Sequence, residues 1–480
     1  MTDSSSASLI RSPPTYGSTS TTMDDEQPEQ PLILFAEFPS DLNRDKTFAL
    51  PLARELSICD TIDPNSIPVG QASIASEVAN LSKNLIGCGV LSLSGGIAMF
   101  ADSPNAVYPA SLWVIVMGAI FGYFCLLIGK LCDMTRSSTY RECWQKTMGD
   151  DGSTVVACIN ALKAALANLA YSTILSQSGS SLCQTIGIEV SRVSCLLIIT
   201  VTMILPLCML KQIRVLAPFS ILGTAGTLLT ALAMIIRYMD GSYLPEGAFY
   251  HDIQPTLQPS FGTTNRVWST AVLPYVCMLF EAFVMHYNAA RFYNELKHAT
   301  PARFGTAVSS SFALSSTVYV AIATVGFLTF GGNSDSFILN NYSANDPLAT
   351  LSRLAISFST LTTYPLVFIG FRDGALDILE IPAARQTNKN LNILTVILLA
   401  IITIIAVFVT DLGIINAVGG GTFATAIVFV FPALMYRSAV QKMGPSSNEM
   451  EVYFALVLMV FGIGIGAIGV IQSIIVSIKD

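Results

Sequence analysis

The sequence predicts an all-α polytopic membrane protein, and three observations lead to this fold class. Hydrophobic residues make up 52% of the 480 residues and charged residues only 12%, which is far from the composition of soluble globular proteins. The mean hydropathy is +0.59. Apolar runs near the roughly 20 residues that cross about 30 Å of hydrocarbon recur along the chain. Helices are expected because lipid offers no water to unpaired backbone groups, and these runs are too long and continuous for barrel strands.

The N-terminal segment differs from everything that follows it. Residues 1–70 are rich in Ser, Thr, Pro, Asp and Glu and too poor in apolar residues to form a core, which predicts a disordered acidic cytosolic tail. The segment has no basic stretch followed by an apolar one, so a cleaved signal peptide is not expected. Residues 71–480 are predicted to form one transmembrane domain.

Charge and cysteine usage exclude several classes of protein. The net charge of -7 argues against nucleic acid as a partner. The ten cysteines are scattered through mostly apolar segments, without a CxxC pair or a His/Cys cluster at metal-ligand spacing. We interpret them as packing residues and expect neither a metal nor a cofactor.

The apolar runs divide the membrane domain into about eleven helices. The predicted spans are 77–100, 108–130, 153–179, 193–210, 215–238, 267–290, 304–330, 348–371, 391–410, 412–437 and 452–476. The division between the ninth and tenth spans is the least distinct, because only Asp411 and Gly413 separate two apolar runs.

The distribution of basic residues predicts the orientation. With a cytosolic N-terminus, 18 Lys and Arg residues fall on the cytosolic side, 5 on the opposite side, and Lys83 and Lys163 within spans. This excess agrees with the positive-inside rule. Asn341, in an Asn-Tyr-Ser triplet, falls on the non-cytosolic side and is a predicted glycosylation acceptor.

Predicted helix 1 contains an interruption near the middle of the bilayer. In "KNLIGCGVLSLSGG", the residues Gly87, Cys88 and Gly89 fall about ten residues into an apolar span. Unwound backbone at this depth lines a cavity, and the N–H groups of the following half-helix favour an anionic group such as a carboxylate. Asn84, one turn earlier, is a candidate to orient this backbone or contact a substrate or ion. The alternative is that the small residues only permit close helix packing.

Five segments carry a resemblance to a known family. They are "NLIGCGVLSLSGG" in helix 1, "LAYSTILSQSGSSL" in helix 3, "PLCMLKQIRVLAPFSILG" between helices 4 and 5, "HYNAARFYNELK" at the end of helix 6 and "TYPLVFIGFRDGALDIL" at the end of helix 8. In this order, the chain resembles the amino acid/auxin permease family of transmembrane amino acid transporters. It departs from the family pattern at Ser94, where proline is usual, and at Gln177, where aspartate is frequent.

The resemblance implies a fold of the leucine-transporter type. Helices 1–5 and 6–10 would form two inverted repeats of five helices each, with helix 11 as an addition. Helix 6 would then carry a second interruption opposite Gly87–Gly89. Its sequence contains Pro274 but no glycine, so we expect this interruption to be mild or absent.

Glu281 is the acidic residue that we single out in helix 6. A carboxyl group at mid-membrane depth is costly unless it faces a cavity or a partner. It is predicted to carry a proton or to oppose a substrate amine, and the alternative is a structural carboxyl that joins two helices. Lys163 and Lys83 are the available basic partners. Lys83 also lies where the related fold places a sodium ion, so its ammonium is a candidate replacement for that ion, unless it extends to the cytosolic face.

Helix 8 offers hydroxyl groups for ion coupling, and two further features are of interest. Thr360 and Thr363 are candidate sodium ligands, although hydroxyls in membrane helices usually bond to their own backbone. Gly419–Phe423, "GGGTF", is interpreted as a close-packing or flexing point. His286 is interpreted as an interfacial residue rather than a proton relay.

No nucleotide-binding or zinc motif is present in the sequence, so we do not expect an enzyme. The resemblance implies a secondary active transporter that moves amino acids by alternating access, coupled to a proton or sodium gradient. Two alternatives stay open: an amino-acid sensor that signals through its tail, and a transporter of another small acid or amine. Membrane lipid is the expected surrounding, and the sequence favours neither a vacuolar or lysosomal membrane nor the plasma membrane.

Overall fold

The computed structural model describes residues 70–150, 152–209, 219–263, 265–379, 381, 386–443 and 448–479. The predicted tail therefore lies outside the described residues, except for Gly70. Within the described ranges the chain forms helices and irregular connections, and two isolated bridges are the only β-type pairings.

The helices follow one another along the chain with short connections. The first group is α1 (Ile74–Leu85), α2 (Leu93–Phe100), α3 (Val107–Thr135), α4 (Tyr140–Met148), α5 (Ser153–Thr185), α6 (Arg192–Ile199), α7 (Leu205–Cys208) and α8 (Phe219–Met239). The second group is α9 (Val272–Phe283), α10 (Ala289–Glu295), α11 (Pro301–Phe330), α12 (Pro347–Ile378), α13 (Asn388–Phe408), α14 (Leu412–Gly419), α15 (Phe431–Met443) and α16 (Glu449–Lys479).

Every predicted span contains helix, and most of these helices are long enough to cross a membrane. Seven segments are long and apolar enough to cross a bilayer unaided, and the bent pair α1 and α2 makes an eighth. Two shorter apolar helices occupy Arg192–Cys208 and Gly223–Met239. The sixth predicted span is divided between α9 and α10. The all-helical architecture is confirmed, and the total of eleven spans stays a prediction.

The helices α9, α11 and α12 each pack against at least two other helices. α11 packs against α1 and α3, α12 packs against α5 and α8, and α9 packs against α14 and α16. Phe121, Phe280 and Phe429 form a buried aromatic cluster with ring centroids 5.1 to 5.4 Å apart. Because lipid removes the hydrophobic driving force between helices, such close contacts are the main source of association.

The glycines of "GGGTF" allow α9 to approach the tenth predicted helix closely. Two consecutive π-helical turns, Gly420–Ala424 and Ala426–Val430, follow α14. A Cβ atom at Gly420 would lie 1.7 Å from the carbonyl oxygen of Cys277 in α9. The interpretation of this stretch as a close-packing point is therefore confirmed.

The connection between α11 and α12 is folded around a buried arginine. The guanidinium of Arg353 is nearly inaccessible and donates hydrogen bonds to the carbonyl oxygens of Leu339, Tyr342 and Ser343 at 2.8, 2.6 and 3.2 Å. The charge of Arg353 therefore organises the backbone that precedes α12.

Asn341 lies in the same connection, and its environment conflicts with its predicted role as a glycosylation acceptor. The side chain is fully buried. Its Nδ2 donates to the carbonyl oxygens of Leu257 and Asn333 at 3.1 and 2.8 Å, and its Oδ1 accepts from the backbone N–H of Asp335 at 2.8 Å. A glycan would replace one of the two Nδ2 hydrogens that make these bonds, so the buried position of Asn341 argues against glycosylation of the folded chain.

Candidate functional site

The predicted interruption of helix 1 is present between α1 and α2. After Leu85 the backbone becomes extended at Gly87, with φ of -109° and ψ of 177°, and a short 3₁₀ turn begins at Cys88. No side chain caps this turn, so its first N–H groups are without a capping partner. A Cβ atom added at Gly87 or Gly89 would meet no atom within 4 Å. The break therefore faces open space, and close packing does not explain these two glycines.

A second interruption lies between α9 and α10. Val284 is extended, with φ of -74° and ψ of 114°, and a 3₁₀ turn covers His286–Asn288 before α10 begins. Helix 6 is therefore interrupted, so the expectation of an absent break was wrong, while the expectation of a mild break stays a prediction. The break contains neither glycine nor proline. A backbone carbonyl group that the break leaves without a helical partner is instead bonded by a side chain of another helix.

Tyr319 of α11 provides such a partner and joins the two interruptions. Its buried Oη lies 2.6 Å from the carbonyl oxygen of Leu85, the last residue of α1, and 2.8 Å from that of Ala282 in α9. One hydroxyl proton is thus shared between, or alternates between, two carbonyl groups at helix ends. The sequence does not single out Tyr319, because a tyrosine in an apolar span carries no local signal of a distant carbonyl.

A second polar chain supports the start of the half-helix after the first break. Ser92 Oγ donates to the carbonyl oxygen of Gly89 at 2.8 Å, and Asn416 Nδ2 of α14 donates to Ser92 Oγ at 2.9 Å. Both side chains are buried. The contact fixes the 3₁₀ turn against the tenth predicted helix. The sequence does not single out Asn416 either, because its partner Ser92 lies far away in the chain.

Asn84 and Lys83 lie at the end of α1, next to the open break. The Asn84 side chain is exposed and makes no hydrogen bond with any residue that the structure describes. Lys83 is half-buried and has no carboxylate partner in the described ranges. These positions place both side chains near accessible space, and their proposed contacts with substrate or ion stay predictions.

Glu281 of α9 pairs with Lys163 of α5. The Nζ–Oε1 distance is 2.6 Å, and the two side chains are only 12% and 10% exposed, respectively. The second carboxylate oxygen, Oε2, is buried without a hydrogen-bond partner among the described residues and faces Gly419. Of the two basic partners considered for Glu281, the structure selects Lys163 rather than Lys83.

His286 and Tyr287 follow Glu281 in the second break and differ in accessibility. The His286 ring is fully buried, with Nε2 2.9 Å from the carbonyl oxygen of Phe121 and Nδ1 without a partner in the described residues. The interpretation of His286 as an interfacial residue was therefore wrong. Tyr287 is 37% exposed and lies close enough to Lys163 to interact with it electrostatically.

The two candidate hydroxyls of α12 are in different situations. Thr363 Oγ1 donates to the carbonyl oxygen of Ser359 at 2.8 Å, the backbone bond that the structural alternative predicted. Thr360 Oγ1 is buried and has no hydrogen-bond partner among the described residues. A buried hydroxyl of this kind needs a water, an ion or another partner. Thr360 is thus the stronger ion-ligand candidate of the two.

No group of three His, Cys, Asp or Glu side chains in the described parts of the chain has the arrangement of a metal site. The candidate groups are therefore the exposed backbone at Gly87–Gly89, the buried Glu281–Lys163 pair and the hydroxyl of Thr360, which has no hydrogen-bond partner among the described residues.

Comparison with known proteins gives a consistent result. The family model described as "Transmembrane amino acid transporter protein" matches residues 70–475. The "Putative sodium-coupled neutral amino acid transporter 11" of Macaca fascicularis is 25% identical over 366 residues, covering 72% of this chain and 75% of the relative. The amino acid transporter AVT6E of Arabidopsis thaliana is 23% identical over 427 residues, covering 84% of each chain.

Solved structures share the fold. The inward-facing conformation of Mhp1 matches with a TM-score of 0.55 and 12% identity, covering 86% of this chain and 91% of that one. A closed conformation of Mhp1, described as a nucleobase-cation-symport-1 family transporter, matches with a TM-score of 0.50 and 13% identity, covering 86% and 94%. The identities are low, so these likenesses concern the fold, which is the predicted leucine-transporter type.

Proposed function

Because this chain belongs to the transmembrane amino acid transporter family, we propose that it moves amino acids across a membrane by alternating access. It is an integral multi-pass membrane protein of a transporter family and not an enzyme. The observation that carries the proposal is the pair of interrupted helices, α1 with α2 and α9 with α10, joined through the hydroxyl of Tyr319. Interrupted helices of this kind form central sites in secondary transporters.

The interruptions give each broken helix two parts that can rotate separately. A continuous α-helix resists bending because each turn is bonded to the next. Here the extended residues Gly87 and Val284 remove those bonds at one position in each helix. Rotation of α1 and α10 about these points would open the site to one side of the membrane and close it to the other.

We propose that the substrate carboxylate binds at the Gly87–Gly89 break. The start of the half-helix after Gly87 combines uncapped N–H groups with the positive end of a helix dipole. The absence of side chains at Gly87 and Gly89 leaves space for the ligand to approach the backbone at Cys88. Asn84 lies one turn away with an exposed amide that has no hydrogen-bond partner among the described residues, which suits it to a polar contact with the same ligand.

Coupling is proposed to use protons through the Glu281–Lys163 pair. Protonation of Glu281 would cancel its attraction for Lys163 and free the ammonium group, so the binding of one proton changes the contact between α5 and α9. The predicted second role of Glu281, as a partner for the substrate amine, requires that Lys163 first withdraws. Lys83 next to the first break would repel a sodium ion if its ammonium turned inward.

Sodium is the second candidate ion, and two observations favour it. The Macaca fascicularis relative is named as sodium-coupled. The buried hydroxyl of Thr360 has no described partner and would suit a sodium ion as a ligand, with Thr363 contributing only if it released its bond to Ser359.

Uptake into proteoliposomes tests this proposal. The purified protein would be reconstituted and supplied with labelled amino acids under an imposed pH gradient, an imposed sodium gradient, both or neither. Accumulation that follows the pH gradient and continues when choline replaces sodium supports proton coupling through Glu281. Strict dependence on sodium would exclude it and transfer the coupling role to Asn84, Thr360 and Thr363.

A further inference from the structure

Glu77 is a buried carboxyl group that the proposed transport site does not use. It lies in the first turn of α1, after the N-cap residue Ser73. Its side chain is fully buried, and neither Oε1 nor Oε2 has a hydrogen-bond partner in the described residues. Asn80 lies close enough to influence the carboxyl but not in hydrogen-bonding geometry. An acidic side chain buried in this way is rare in proteins.

The charged groups that face Glu77 do not neutralise it. Arg291 and Glu295 of α10 both act on Glu77 electrostatically. These two side chains are paired with each other, with 2.6 Å between Arg291 Nε and Glu295 Oε1, and they are 75% and 38% exposed. The guanidinium of Arg291 is thus already paired with Glu295 and is exposed to water. From α3, the titratable group near Glu77 is the thiol of Cys125.

The helix α11, which packs against α1, adds a hydroxyl to this neighbourhood, and no charged group of α11 acts on Glu77. Ser311 of α11 donates through Oγ to the carbonyl oxygen of Val78 at 3.2 Å. Glu77 therefore sits between α10, α3 and α11 without a cation from the described residues directed at its oxygens.

Backbone hydrogen bonds connect the chain before α1 to the end of α10, close to Glu77 in the sequence. The N–H of Ala72 donates to the carbonyl oxygen of Glu295, and the N–H of Lys297 donates to the carbonyl oxygen of Ala72, both at 2.9 Å. Gly70 packs so closely on the backbone at Glu295 that a Cβ atom would lie 2.5 Å from it. The chain before α1 and the chain after α10 are thus joined on the side of the bundle that is predicted to be cytosolic.

We propose that Glu77 is a proton-binding site that controls the seal between α1 and α10. An ionised carboxylate without partners in a protein interior is strongly unfavourable, and a bound proton removes that cost. The packed arrangement requires the neutral form of Glu77, and ionisation favours separation of α1 from α10, which brings the carboxylate to water. This inference rests on the proposed transport function, because the seal lies on the path by which substrate would leave the first break.

The consequence is a rate of opening that depends on the pH of the adjoining side. An equilibrium governed by one proton changes by up to about tenfold per pH unit. Raising the pH on the α10 side of the bundle should accelerate opening, and lowering the pH should hold the seal closed. This dependence concerns the pH itself on one side and not the pH difference across the membrane.

Substrate exchange with equal pH on both sides tests the proposal. Proteoliposomes loaded with unlabelled amino acid would exchange it for labelled amino acid over a series of pH values, for the wild type, Glu77→Gln and a control. Glu246→Gln is the control, since Glu246 is an exposed carboxyl between α8 and α9. We expect wild type and Glu246→Gln to accelerate with pH, and Glu77→Gln to stay slow and to lose most of this acceleration.

A second measurement keeps the test informative if Glu77→Gln assembles poorly. The infrared carbonyl band of a protonated carboxyl group, taken as the difference between wild type and Glu77→Ala in detergent, should be present at neutral pH. The absence of that band would overturn the proposal, as would a Glu77→Gln protein whose exchange keeps the pH dependence of the wild type. A wild type that exchanges no amino acid would instead contradict the proposed function, while the band would still report the state of Glu77.

Discussion

Lys163 and Glu281 form an ion pair between α5 and α9, with 2.6 Å between Nζ and Oε1 and about nine-tenths of each side chain buried. The pair joins a long continuous helix to one that is interrupted two residues later, after Phe283. Removing one member of a buried pair leaves an uncompensated charge, at a cost of about 3–5 kcal/mol. The pair is therefore positioned to link a change of charge to a movement of α9.

Replacement of Glu281 by glutamine should separate coupling from binding. The substituted amide would keep a polar contact to Lys163 but cannot cycle between charged and neutral forms. We expect net uptake of Glu281→Gln to lose its dependence on the pH gradient, while exchange of labelled for unlabelled amino acid continues at a reduced rate. Proton-driven accumulation equal to that of the wild type would refute the assignment.

The double variant Lys163→Gln with Glu281→Gln is the matched control for stability. It removes both charges together, so it avoids the uncompensated ammonium that Glu281→Gln leaves behind. Its melting temperature in detergent should lie above that of Glu281→Gln, and its uptake should still ignore the pH gradient. A double variant with restored pH dependence would show that the charges of this pair are not involved in coupling.

Valine at Gly87 or Gly89 should abolish uptake without unfolding the protein. An added side chain at either position meets no atom within 4 Å, so the substitution fills the space of the ligand instead of displacing the protein. Gly464 of α16 has the same open surroundings and is exposed, which makes Gly464→Val the control. Normal transport by either site variant, or equal transport of free and esterified amino acids, would contradict the carboxylate assignment.

Tyr319→Phe should slow transport by removing the hydroxyl that joins the two breaks. Loss of the donor leaves a helix-end carbonyl unsatisfied, with an expected loss of about 1–3 kcal/mol in the free energy of unfolding. Tyr140 is also buried and donates to a backbone carbonyl, that of Ile427 at 2.7 Å, so Tyr140→Phe reports the stability effect alone. We expect both variants to lose stability and only Tyr319→Phe to have a lower maximal uptake rate. Equal uptake rates of the two variants would assign Tyr319 a purely structural role.

Asp335, between α11 and α12, should give the protein a pH-dependent stability at acidic pH. Burial, together with the charge of Asp411, raises the pKa of Asp335 above its ordinary value, despite hydrogen bonds from the Phe337 N–H and Asn340 Nδ2. Because the folded-state pKa of Asp335 is raised, its contribution to the free energy of unfolding is complete below the unfolded-state pKa of about 3.9. This contribution is lost as the pH rises through the folded-state pKa.

Asp335→Asn should remove that loss, since an amide does not ionise but still accepts a hydrogen bond. The melting temperature of Asp335→Asn relative to wild type should therefore increase as the pH is raised from about 3.5 to 7. Thermal unfolding in detergent across this range provides the measurement. A difference that does not vary with pH would mean that Asp335 titrates normally in the folded protein.

The architecture followed from the sequence because its causes are local. Hydropathy located a helix in each predicted span, and the glycines at 87 and 89 marked the first break, since both signals depend only on neighbouring residues. The second break carried no such signal. It depends on Tyr319, 37 positions away from Ala282 in the chain, so only the tertiary structure identifies it.

The charged and polar groups were harder to predict for the same reason. Glu281 could be selected because an acidic residue is unusual at its predicted depth in the membrane. Its pairing with Lys163 and not with Lys83 depends on how α5 packs on α9. The Asn341 triplet matched an acceptor pattern, whereas its burial results from contacts with Leu257 and Asn333. Glu77 lies near the end of a span, where acidic residues are ordinary, and only its complete burial sets it apart.

Amino acid transport itself is tested by uptake of labelled amino acids into proteoliposomes, with Gly89→Val as the inactive reference. We predict that the wild type concentrates one or more amino acids above the external level under an imposed pH gradient, and that Gly89→Val and the amino acid esters give no accumulation. A wild type that concentrates no amino acid under a proton or a sodium gradient, in vesicles where the protein is shown to be folded, would contradict it.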